Sequence, residues 1–406
     1  MMIRWTFVIA VALSAPALAQ GQAPLPPGPG KEIVETVCVA CHSLERVSNA
    51  GYGLAGWRTD IERMVKVGAP LEPDQVEAAA LYLAKAFPEK PESPAVLVPG
   101  AAEVGFREWV LPTAGSHPHD PLPGPDGALW YTGQMASLLG RLDPATGRFT
   151  EYRTTVADSG PHGLAADRDG NIWFTANFKG YIGKLDPKTG KFTEYRLPDP
   201  NARDPHTPLI DAKGMIWFTV QSANMVGRLD PGSGEIKLVT PPTPRANPYG
   251  LAFDSKGVPF FDEFGSNKIA SLDPATMAIR EFPLPDPAAR PRRIAIGADD
   301  MVWYTDYQRG YLGCLDPRTG AVREWPSPSG PRSAPYGMTT AKGAIWYSES
   351  GTKPNTLVRF DPASEKFQSW AIPSGGGVVR NMAATADGSL VLAESGVNRV
   401  ALVTVK

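Results

Sequence analysis

Pro161-His162-Gly163-Leu164, then Gly170-Asn171-Ile172-Trp173-Phe174-Thr175, then Ile182-Gly183-Lys184-Leu185-Asp186-Pro187 is the stretch that decides the fold, because it recurs. Its Leu-Asp-Pro segment, or a close variant, returns with aspartates at Asp143, Asp186, Asp230, Asp273, Asp316 and Asp361. The intervals are 43, 44, 43, 43 and 45 residues. An aromatic pair keeps the same beat at Trp130-Tyr131, Trp173-Phe174, Trp217-Phe218, Phe260-Phe261, Trp303-Tyr304 and Trp346-Tyr347. A short strand-like segment follows the turn, as in Phe149-Thr150-Glu151-Tyr152. A period of about 40–50 residues with several short strands per unit is the mark of a propeller blade. The Gly, Pro and aromatic content of every unit excludes helical repeats, and the Asp-Pro and Thr-Gly pairs suit tight strand connections.

Counting outward gives seven blades. The last unit, Val379 to Lys406, has three strands and lacks an outer one, whereas Phe106 to Val110 is an orphan strand at the start. Pairing the two closes the ring and removes a free edge. An all-β seven-bladed propeller is therefore expected over 105–406.

Upstream of it the sequence changes character. Met1 to Arg4 carry one positive charge, Trp5 to Leu13 form a short apolar run, and Ala17-Leu18-Ala19 is a small-residue cleavage pattern. This reads as a signal peptide over 1–19, too short for a membrane span. No later stretch reaches the ~18 apolar residues that a spanning helix needs. The mature protein is expected in the periplasm, free of a membrane span. With 40 basic against 42 acidic residues, it has no basic excess of the kind that marks a nucleic-acid partner.

Three cysteines are an odd number for disulfides in an exported chain. Cys38, Cys41 and His42 form Cys-Val-Ala-Cys-His, the pattern of covalent haem c attachment: two thiols for the vinyl groups and an adjacent histidine for the iron. Around it, helices are expected over Lys31 to Val37, over Trp57 to Val67, and from Pro73, favoured at a first helical position, to a stop before Pro88. This arrangement over 31–88 resembles a small all-α class I cytochrome c. Met64 is the only methionine between His42 and the end of that region. It is the candidate second axial ligand, which raises a haem's potential. The segments 20–30 and 89–104 read as linkers, the second Pro-rich and semi-rigid. The chain is thus read as multidomain.

The repeat itself resembles the virginiamycin B lyase (streptogramin lyase) family over about 105–406, on the units quoted above. Two positions per blade are candidates for a site. The residue after the proline that opens each innermost strand, or after Val379 in the last blade, should border the axial channel: His119, His162, His206, Tyr249, Arg292, Tyr336 and Arg380 in order. The residue three after the first aromatic of each pair, or after its equivalent in the last blade, is Gly133, Ala176, Val220, Glu263, Asp306, Glu349 and Glu394. Three adjacent blades supply histidines and the other four supply carboxylates, and His117 adds a further imidazole beside His119. Imidazoles suit a transition metal, here at His119, His162 and His206, and carboxylates suit Mg²⁺.

The resemblance implies a histidine base with Mg²⁺ held by glutamates, with histidines from the last two blades, a glutamate from the last and a tyrosine from the first. The matching positions here are Tyr336, Arg380, Glu394 and His119, of which only Glu394 agrees. A rotated register, His162-His206-Tyr249 with Asp204 nearby, recovers the order but places Val220 where the glutamate belongs. The reading the sequence favours is a periplasmic oxidoreductase. Its propeller binds or oxidises a small-molecule substrate, its haem removes electrons, and a redox partner protein accepts them. The alternatives are a Mg²⁺-dependent C–O lyase and a non-enzymatic electron-transfer protein that docks its partner.

Overall fold

The computed structural model describes residues 25–40, 44–48, 50–66, 68–91 and 93–406. The signal-peptide segment, Cys41 and His42 lie outside the described residues. Among those described, no helix is long and apolar enough to cross a membrane.

Seven four-stranded antiparallel sheets follow one another around a ring. The first blade runs outward through Pro118–Pro123, Leu129–Gly133, Leu138–Leu142 and Phe149–Arg153. The seventh takes Val379–Ala384, Leu390–Glu394 and Arg399–Val405 from the C-terminus and Val104–Val110 from before the first blade. Phe106 pairs with Val403 and Val110 with Arg399, so the expected closure is the one the chain uses.

The repeat markers have distinct physical tasks. The Leu-Asp-Pro aspartate is a turn staple: Asp143 Oδ1 accepts the Ala145 N–H at 2.9 Å and Oδ2 accepts the Thr146 hydroxyl at 2.7 Å. Asx turns of this kind are why aspartate recurs at strand connections. The first aromatic of each pair packs forward onto the next blade. Trp130 meets Leu164 and Phe174, Trp217 meets Leu251 and Phe261, and Trp346 meets Met382 and Leu392. Across the closure, Val391 and Val400 meet Leu129 and Tyr131. Each such buried side chain contributes about 1.5–3 kcal/mol. The second aromatic lies over a glycine on the neighbouring strand: Tyr131 opposite Gly140, Phe174 opposite Gly183, Tyr304 opposite Gly313. A Cβ on Gly140 would stand 1.9 Å from the Tyr131 ring, so only glycine admits the aromatic there.

The N-terminal part is helical: α1 (Lys31–Thr36), α2 (Leu44–Ser48), α3 (Leu54–Lys66) and α4 (Pro73–Ala86). Pro73 opens α4 as expected, and a capping box joins Glu72 and Gln75, with the Glu72 N–H donating to Gln75 Oε1 at 2.9 Å. α2 falls where the sequence suggested a loop. These helices share a core of Val34, Val47, Trp57, Ile61, Ala79 and Leu83.

Both expected linkers need correction. Leu25 is buried in the helical core and the Tyr82 hydroxyl donates to the Pro26 carbonyl at 2.7 Å, so the end of the first linker is anchored to the helices while 26–29 stay exposed. The Pro-rich segment is fastened to the propeller. Ser93–Pro94 pairs in parallel with Thr352–Lys353, and Ser369 brackets Val96 and Val98 with hydrogen bonds of 2.7–3.0 Å. Two of the segment's N–H groups, those of Val96 and Val98, are taken by the hydroxyls of Ser329 and Ser369.

Candidate functional site

Every innermost strand carries a register shift just after its first residue, between Pro118 and Pro121 in the first blade and between Val379 and Asn381 in the last. A bulge of this kind re-aims side chains. The bulged N–H is caught by a hydroxyl of the second strand, which also ties the next blade. Thr175 Oγ1 accepts the Gly163 N–H at 2.9 Å and donates to the His206 carbonyl at 2.6 Å. Thr132 does the same between Asp120 and His162, and Thr219 between Thr207 and Tyr249. The inner ends of the blades are thus laced to one another.

The bulges bring the expected channel residues together. The ring centroids of His119 and His162 are 3.5 Å apart, those of His162 and His206 are 3.7 Å, and those of His206 and Tyr249 are 3.8 Å. Tyr249 and Tyr336 share a short hydroxyl–hydroxyl hydrogen bond. The Arg292 guanidinium lies 3.8 Å from the Tyr336 ring centre and 4.2 Å from that of Tyr307. His119, His162 and His206 are 2–3 % exposed. Burial above all holds the three imidazoles well below the usual histidine range, so they are neutral at pH 7; the charge of Arg380 adds to this at His119, that of His119 at His162, and those of His162 and then Arg293 at His206. Burial pushes the Tyr249 phenol up. At Tyr336 the charges of Arg292, Arg380 and Arg293 overcome burial and bring the phenol down.

The bulge adds residues that the sequence did not mark. Asp120 follows His119, and its Oδ1 is 2.8 Å from His119 Nδ1. Arg293, which follows Arg292, donates to Asp120 Oδ1 at 3.0 Å and to Thr207 Oγ1 at 3.2 Å. Asn381, which follows Arg380, donates to Asp120 Oδ2 at 3.0 Å. In the repeat this position is glycine in three blades and polar in the other four, but ordinary strand alternation assigns it to a sheet face, so the pattern alone does not mark it.

The carboxylate position is corrected. Glu394 accepts the Ser374 hydroxyl at 2.8 Å and stands beside Glu108 of the closing strand. Glu349 is held by Ser327, Ser329 and Thr356, and Asp306 by Arg309 and the Arg290 N–H. Glu263 accepts from Ser266. These acids tie loops and blade faces. The physical reason is that side chains of a second strand point to the sheet faces, and in a propeller those faces meet the neighbouring blades.

The helical part reaches the same end of the ring. Arg63 and Lys66, in the last turn of α3, act by their charge on His117, and Arg63 also acts on His119. Met64 lies between them on α3, half-buried. Cys38 packs against the helical core in a single turn of 3₁₀ helix, Cys38–Ala40. A thiol able to bond a vinyl group and a thioether able to ligate iron, both bordering an apolar core, fit a haem.

The virginiamycin B lyase family model matches residues 101–329, more than half of the chain. Among solved structures, a streptogramin B lyase is 27 % identical, covers 75 % of this chain and 98 % of its own, with a TM-score of 0.68. Virginiamycin B lyase from Staphylococcus aureus is 24 % identical over 74 % of this chain and 99 % of its own, with a TM-score of 0.68. Hydrazine synthase from Kuenenia stuttgartiensis, 15 % identical over 73 % of this chain and 97 % of its own, shares the fold at a TM-score of 0.59. No curated protein sequence matches. The closed seven-bladed ring, the repeat markers and the match over 101–329 agree, and this chain belongs to the virginiamycin B lyase family.

Proposed function

We propose that the chain is an exported cytochrome–propeller fusion in which the axial end of the propeller binds and oxidises a small anionic substrate. The observation that carries this reading is the place of α3. The helix with the candidate ligand Met64 ends where its charges reach His117 and His119. Fusion holds donor and acceptor at a high effective concentration, which is a physical reason to join the two parts. Cys38, Cys41, His42 and Met64 would hold the haem. When bound, it supplies a one-electron acceptor whose potential a thioether ligand raises.

The protein's own residues divide the remaining work. Arg292, Arg293 and Arg380 put three guanidinium groups at one end of the channel; Asp120 pairs with Arg293, and buried Asp262, whose carboxyl is pushed up to about 7, offsets little more, a charge balance that favours an anion. Opposite the guanidinium groups His206, a neutral imidazole at the end of the histidine row, can accept a proton as the substrate is oxidised. Tyr249 and Tyr336 can pass a proton between them through their shared hydrogen bond. The test is anaerobic. The oxidised protein is mixed with the small-molecule fraction of a periplasmic extract while the haem bands are followed. Reduction that is lost in His162→Ala and His206→Ala, while dithionite still reduces both variants, supports the reading. Equal reduction of all three proteins overturns it.

A second reading is favoured by the consecutive ring contacts of His162, His206 and Tyr249, the order in which the family's lyases place their histidines and tyrosine. One solved relative is an inactive virginiamycin B lyase variant with quinupristin. Incubation with quinupristin decides this reading. A ring-opened product of unchanged mass, formed without haem reduction, means elimination. Intact quinupristin excludes lyase activity on this substrate.

A further inference from the structure

One ligand set stands out at the axial end of the ring. Ligand atoms of His119, Asp120 and His162 all lie within 4.8 Å of one another, and all three residues are buried. Asp120 is held from both sides: Oδ1 takes Arg293 and sits beside His119 Nδ1, and Oδ2 takes Asn381. A carboxylate has about four lone-pair positions, so one remains. His119 has Nδ1 committed and Nε2 left. His162 carries the independent sign. Its ring is 3 % exposed, and Nδ1 is buried without a hydrogen-bond partner. A buried polar atom left unpaired costs on the order of kilocalories, and native interiors rarely keep one.

We propose that His119, Asp120 and His162 bind one first-row divalent metal ion at the axial end of the propeller. Two imidazoles and a carboxylate form a nitrogen–oxygen donor set that suits zinc, iron, manganese or cobalt, not the thiolate-loving ions. Arg293 and Asn381 are its positioning residues: they orient Asp120 as outer partners orient a ligating carboxylate. A set of three protein ligands leaves positions open for a small anion or water. The site differs from the glutamate-held Mg²⁺ that the family resemblance implies: its donors are two imidazoles and an aspartate, and Glu394 is engaged by Ser374. It stands independently of the haem reading: the ligands are all propeller residues.

The test is metal retention. Full-length protein, stripped with a chelator, is dialysed against buffered micromolar Zn²⁺ and analysed for zinc, with haem counted separately by its pyridine haemochrome. One zinc per chain is expected in the wild type and in His117→Ala. At least a tenfold weaker retention is expected in His162→Ala and in Asp120→Asn. A zinc-dependent rise in melting temperature should vanish with the same two substitutions. Near-ultraviolet circular dichroism without zinc checks that the variants keep the fold; should either fail to fold, His119→Gln serves as the retention variant. Unaltered zinc in the folded variants, or no zinc retained by the wild type, overturns the proposal. Loss of haem with zinc retained would sink the cytochrome reading and leave this one standing.

Discussion

Glu394 gives the sharpest quantitative prediction. Its side chain is fully buried in the blade that closes the ring, beside Glu108 on the strand that makes the closure. Burial, and then the Glu108 charge, pushes its carboxyl from the ordinary value of 4.5 up to about 8. The folded state therefore holds a proton that the unfolded chain gives up above pH 4.5. Stability from this group is complete below the unfolded value and is lost as pH rises toward about 8. One pKa unit is worth about 1.4 kcal/mol, so between pH 5.5 and 9 the loss is on the order of 3 kcal/mol. Glu394→Gln keeps the shape and can never ionise. Denaturant unfolding of both proteins at pH 5.5 and 9 isolates the term, because the other buried acids contribute equally to each. The wild type should lose about 3 kcal/mol more than the variant over that range. Parallel pH dependences would refute the reasoning and mean that Glu394 reaches solvent.

Other substitutions probe the repeat and the ring. Gly140→Ala should destabilise by about 1–3 kcal/mol, because its Cβ would collide with the Tyr131 ring, and Tyr131→Leu should relieve most of that cost in the double variant, read by thermal melts. Arg293→Met leaves Asp120 buried without its guanidinium and should cost about 3–5 kcal/mol by urea unfolding; a cost below 1 kcal/mol would mean that Asn381 and His119 suffice. Thr175→Val removes one blade-to-blade lace and should cost about 1 kcal/mol, with faster hydrogen exchange at the Gly163 amide. Removal of residues 101–110 opens the ring at the seventh blade and should abolish the single cooperative melt, which a propeller held only by its blade-to-blade cores would keep.

The architecture was legible because each blade repeats the same solutions. Trp173 and Asp186 can be read without coordinates: one fills a face between blades and the other staples a turn. The orphan strand before the first blade declared the closure in the same way. The first ring of channel residues was legible from the opening prolines. Asp120, Arg293 and Asn381 were not, because ordinary strand alternation sends the second residue to a sheet face, and only the bulge aims it at its partners across the ring. The same alternation misled at Glu263, Asp306, Glu349 and Glu394. Their side chains are polar and regularly spaced, yet they serve the faces and loops. The seating of 93–98 left no periodic trace, since it rests on a two-residue strand pairing with Thr352–Lys353 and on single serines, Ser329 and Ser369.

The central claim is that a haem-bearing segment is wired to this propeller. The most direct measurement is the visible spectrum and pyridine haemochrome of the protein purified from the periplasm of a host with cytochrome maturation, beside Cys38→Ser/Cys41→Ser. The account predicts one covalent, low-spin haem per chain in the wild type, none in the variant, and propeller circular dichroism that is the same in both. A wild-type protein that folds in that host and carries no haem would contradict it.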